Sequence, residues 1–68
     1  MQDIEYGNKR FTVFNAVAAN LLREAAYHKA ASNYETALWL VSLALKVENG
    51  FILESEALEA HPALERAA

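Results

Sequence analysis

Glu24 and His28 stand four residues apart, a spacing that puts two side chains on one helix face and that helical metal sites use. Two ligands are too few, however. No second His lies within reach in the sequence, no His-Glu-x-x-His run is present, and Cys is absent, so thiolate-rich zinc sites and disulfides are both excluded. His61 beside Pro62 reads as a helix-end residue rather than a general base. Ser32, Ser42 and Ser55 occupy helical or capping contexts, with neither a glycine-rich elbow to expose a nucleophile nor an oxyanion-hole motif. The residues that could do chemistry thus form no catalytic constellation, metal site or cofactor site. The expectation is a protein that is not an enzyme and that works by contact.

A chain of 68 residues and 7.6 kDa allows one small domain. With 54% hydrophobic and 22% charged residues, it has the composition of a folding chain rather than a disordered one. The net charge of −3 is the wrong sign for a protein whose affinity comes from neutralising phosphates. The basic residues Lys9, Arg10, Lys29, Lys46, Arg23 and Arg66 are scattered, which opposes a helix-turn-helix reading. No apolar run approaches a membrane span, because Asn15, Asn20, Arg23 and Glu24 interrupt the first apolar region and Lys46 and Glu48 close the second. The start, Met1 to Glu5, lacks the basic and apolar regions of a secretory signal. A soluble, cytoplasmic protein without a membrane or direct nucleic-acid partner is expected.

The elements that position these residues read as all-α, since Ala and Leu dominate the composition. The expected architecture is a small bundle of two longer antiparallel helices plus a short C-terminal helix. Residues 1–10 read as an irregular arm with a turn at Gly7-Asn8, residues 11–61 as a single helical domain, and residues 62–68 as a tail. The first helix is expected over about 11–24. A change in the phase of the apolar stripe places the break to the second helix near Ala25-Ala26. A rival break lies at Ser32-Asn33, where Ser32 and Glu35 have the form of a capping box, and one uninterrupted helix is a third possibility. The second helix should stop at Asn49-Gly50, with Lys46 in its last turn, and a short third helix should end before Pro62.

In this reading the hairpin core joins Phe14, Ala18, Leu21 and Leu22 of the first helix to Tyr27, Ala30, Ala31, Tyr34, Leu38, Val41 and Leu45 of the second. Trp39, Leu40, Leu43 and Val47 then fall on the opposite side, so the C-terminal half of the second helix is apolar all round. Two explanations stand together. Either the first and third helices sandwich the second, or Trp39, Leu40, Leu43 and Val47 form an interface with a target protein or a second copy. A homodimer is expected, because a chain this short offsets the entropy of folding only narrowly.

The stretch FTVFNAVAANLLREAAYHKAASNYETA, residues 11–37, resembles the ANR family, the AraC negative regulators. Phe14 stands for the family's leading aromatic, Ala18-Ala19 for its first alanine pair and Arg23-Glu24 for its charged pair. Tyr27, Ala30-Ala31 and Ala37 match at the same spacing without a gap. Tyr34 stands where the family usually has Trp, and Ala25-Ala26 replaces a more turn-like pair. The resemblance implies a non-enzymatic negative regulator of transcription, which binds an AraC-type activator and blocks its dimerisation or DNA binding. Some members of the family also contact nucleoid-associated proteins. An alternative is a phage- or plasmid-encoded inhibitor of a host enzyme or defence complex, mimicking nucleic acid with Glu54, Glu56 and Glu59. A small DNA-binding repressor is a third and less favoured reading, given the charge.

Overall fold

A computed structural model describes residues 1–60 of the chain. It is α+β, not all-α: a two-stranded antiparallel hairpin, β1 (Gln2–Tyr6) and β2 (Lys9–Val13), precedes three helices, α1 (Ala16–Ala30), α2 (Tyr34–Glu48) and α3 (Glu54–Ala60). The supposed irregular arm is therefore β1 and the start of β2. Its pattern has period two. Ile4 is buried and Gln2 and Tyr6 are half-buried on one face, while Asp3 and Glu5 face outward. The register pairs Ile4 with Phe11, Glu5 with Arg10 and Asp3 with Thr12. Outward neighbours then bond across the strands: Arg10 lies 3.4 Å from Glu5, and the Thr12 hydroxyl donates to Asp3 at 2.8 Å. Gly7 has φ +61° and Asn8 does not share the positive φ, which is the pattern of a II′ hairpin turn with Gly at its first central position.

Helix α1 starts later than expected, at Ala16, because Asn15 caps it. The Asn15 side-chain oxygen accepts from the amides of Val17 and Ala18 at 2.8 and 3.1 Å. Across the molecule, the Glu48 carboxylate at the end of α2 accepts from the amides of Phe14 and Asn15, at 2.9 Å in the closest case. It sits where the positive end of the α1 dipole favours an anion.

The same helix does not break at Ala25-Ala26 but continues to Ala30. Ser32 then takes the left-handed conformation, φ +66°, and Asn33 N–H returns to the His28 carbonyl at 2.7 Å. The rival break is the observed one, although its capping box does not form: Asn33, not Ser32, is the N-cap of α2, and no side chain caps it. Helix α2 closes the same way as α1, with Gly50 at φ +77° and Phe51 N–H donating to the Lys46 carbonyl at 2.8 Å. This end is where Asn49-Gly50 places it.

Helix α1 lies between the hairpin and α2 and contributes the largest share of the core. Ala18, Ala19, Leu21, Leu22 and Ala25 are wholly buried on it, against Ile4 and Val13 of the hairpin and Leu40, Ala44 and Val47 of α2. Alanines at 18, 25, 37 and 44 bring the two helices close. Ala57 anchors α3, with Ile52 and Leu58 packed beside the core. The expected helical end before Pro62 and the tail lie outside the described residues.

Candidate functional site

Glu24 and His28 share one uninterrupted helix, as their spacing requires, yet the chemistry around them is not that of a metal site. The His28 Nδ1 faces the Asn33 side-chain amide at 3.4 Å, and the His28 ring meets that of Tyr27 edge-on. Among the described residues no group of three or more His, Cys, Asp or Glu is placed to hold a metal ion. Ser32, Ser42 and Ser55 are exposed, Ser32 in the α1–α2 turn, and His61 lies outside the described residues. A depression of about 390 Å³ at the hairpin tip is lined by Glu5, Gly7, Asn8, Lys9 and Arg10, and Glu5 and Arg10 are paired with each other. Nearby, the Lys29 ammonium stands over the Tyr6 ring at 4.7 Å. No helix among the described residues is long and apolar enough to cross a membrane.

The informative surface is apolar. Helix α2 carries two apolar stripes about 110° apart at 100° per residue, Ala37-Leu40-Ala44-Val47 and Tyr34-Leu38-Val41-Leu45. The first is the core stripe; of the second, Tyr34 and Leu38 face outward while Val41 still packs against the core, so the expected assignment is largely reversed. Leu40 and Val47, expected at an interface, are buried within the chain, and Leu43 is half-buried against the core. Trp39 remains 44% exposed. Of the expected hairpin core, Ala18, Leu21 and Leu22 are indeed buried. Phe14, Tyr27, Ala30, Ala31, Tyr34 and Leu38 are instead exposed, and Val41 and Leu45 are half-buried. The reversal follows from α1 running to Ala30: Tyr27, Ala30 and Ala31 belong to the end of α1 and its cap, so they cannot start the seam of α2.

A second apolar region lies outside the residues that the sequence singles out for an interface. Phe14, between β2 and α1, is exposed, as are Phe51 and Leu53 in the connection from α2 to α3. The Glu48 carboxylate bonded to the Phe14 amide, and the Asn15 side-chain amide donating to Glu54 at 2.6 Å, bring these segments to one end of the molecule. Phe51 and Leu53 follow the Gly50 stop, and two large apolar residues just past a helix stop were the available signal. The exposed acidic side of α3 consists of Glu54, Glu56 and Glu59, of which Glu54 is engaged by Asn15. Comparison of the chain with family models, with curated proteins and with solved structures yields no match.

Proposed function

We propose that this protein is a non-enzymatic negative regulator of transcription that binds an AraC-type activator and holds it away from DNA or from its own dimer partner. The observation that supports this reading is the apolar end formed by Phe14, Phe51 and Leu53, each about two-thirds or more exposed on an acidic chain. Aromatic and aliphatic side chains concentrated on one end of a small domain are the usual anchors of protein recognition. The negative charge favours a protein surface over a phosphate backbone as the partner. The resemblance of residues 11–37 to the AraC negative regulators supplies the class of target, and that stretch contains Phe14.

The test is a reporter driven by an AraC-type activator from the same host, with the chain co-expressed. Output should fall with the wild type and recover with Phe51→Asp at equal protein level, since Phe51 is 79% exposed and carries no core packing. If no activator of this class responds, or if Phe51→Asp represses as well as the wild type, the reading is wrong.

A further inference from the structure

Helix α2 presents an outward stripe whose residues are arranged with twofold symmetry. Tyr34, Leu38, Val41 and Leu45 are spaced four, three and four, the seam spacing by which one helix packs along another. The same spacing reads identically from either end. Inverted about a point between Trp39 and Leu40, Tyr34 exchanges with Leu45 and Leu38 with Val41. Tyr34 and Leu38 are 58% and 63% exposed, Leu45 is half-buried, and Val41 is half-buried with part of its side chain packed against the core, so the stripe is a shallow apolar face that leans toward the core at Val41.

We propose that this face is covered by α2 of a second copy of the chain, packed antiparallel across a twofold axis that crosses the stripe midway between Leu38 and Val41. The occupant follows from charge. Glu35 and Lys46 each come one residue after a stripe position, Tyr34 and Leu45, and therefore lie on the same flank, about three turns apart. Among the described residues, neither side chain forms a hydrogen bond or an ion pair within the chain. In an antiparallel pair, same-side flanks meet in reverse order, so Glu35 faces the partner's Lys46 and Lys46 faces the partner's Glu35. In a parallel pair the twofold axis runs along the helices and carries this flank to the far side of the seam, so neither Glu35 nor Lys46 would meet an opposite charge from the other's copy. One self-complementary patch thus serves both copies, the ionic pairs being staggered by about 3 Å from the apolar register, a distance that the long Glu and Lys side chains span. This pairing uses a different face from the Phe14, Phe51 and Leu53 end and does not depend on which target is bound there.

Sedimentation equilibrium on the full chain, with circular dichroism, tests the proposal. The wild type should be a monomer–dimer system with dimer populated at micromolar concentration. Leu38→Asp should be monomeric with its helical content retained, because Leu38 is 63% exposed and lies outside the core cluster. The charge-flank variants touch no core residue, and because Glu35 and Lys46 also complement the α2 dipole in its first and last turns, each variant is compared only where its circular dichroism matches that of the wild type. Glu35→Lys alone and Lys46→Glu alone should each weaken dimerisation about tenfold or more, by turning two attractions into two repulsions. The double variant Glu35→Lys with Lys46→Glu should return to within about threefold of wild type, an outcome that a parallel dimer does not give. A wild type that stays monomeric at several hundred micromolar, a dimer indifferent to Leu38→Asp, or a double variant no tighter than the singles would each overturn it.

Discussion

The orientation of α2 is tested by two leucines two residues apart. Leu40 is fully buried against α1 and Leu38 is 63% exposed. Leu40→Ala removes three buried carbons, about 2.4 kcal/mol of transfer free energy at roughly 0.8 kcal/mol each. The cavity left in the core cluster that Leu40 shares with α1 raises this to about 3 to 4 kcal/mol. A chain of this length has a total stability of about 3 to 10 kcal/mol, so the variant should stand near the edge of folding. Leu38→Ala should cost no more than about 0.5 kcal/mol. Both are measured by urea unfolding followed by circular dichroism, at a dilution where the chain is monomeric. The alternative seam, with Leu38 inward, requires the opposite order. If Leu38→Ala proves the costlier of the two at that dilution, the packing of α2 described above is wrong.

Three further substitutions probe the devices that hold the elements together. Ser32→Gly should stabilise the chain by roughly 0.5 to 1 kcal/mol in thermal unfolding, because Ser32 holds φ +66° at the end of α1 where Gly50 does the same task on α2 without a Cβ; a loss of stability would refute that backbone geometry. Glu48→Ala should cost about 1 to 2 kcal/mol by removing the acceptor of the Phe14 and Asn15 amides, and an unchanged melting temperature would show the cap to be idle. Gly7→Ala should cost about 1 to 2 kcal/mol, since φ is +61° and the added carbon points at the Lys29 side chain, and it should speed amide exchange in the hairpin first. Unaltered exchange at Ile4 and Phe11 would contradict the turn.

The parts of the fold that were legible in the sequence are those marked by a residue with one conformational meaning. Gly50 stopped α2 because glycine enters the left-handed region without penalty. The matching stop of α1 was harder to see because Ser32 carries it, and serine there looks like an N-cap instead. The hairpin was hidden for a similar reason. Gly7-Asn8 was visible as a turn, but the strands beside it are five residues long, and Phe11 also fits the helical spacing to Phe14 and Ala18. Helix spacing and strand alternation overlap at so few residues, and the bonds between Thr12 and Asp3 and between Arg10 and Glu5 decide it only in three dimensions.

The apolar surface of α2 was the least legible part. The surplus of apolar residues on α2 was apparent from composition around the helix, but not which stripe faces inward. Both stripes have the same period, and the larger residues favoured the wrong one. Small alanines at 37 and 44 win the core because they let α2 approach α1 closely, an advantage that hydrophobicity alone does not register.

Recognition of a protein by the apolar end of the molecule is tested most directly by calorimetric titration of a purified AraC-type activator from the same host. Saturable binding of the wild-type chain is expected, with Phe51→Asp and Leu53→Asp each weakening it about tenfold or more while keeping wild-type circular dichroism. Absence of binding to every activator of this class, or binding that both variants leave unchanged, would contradict it.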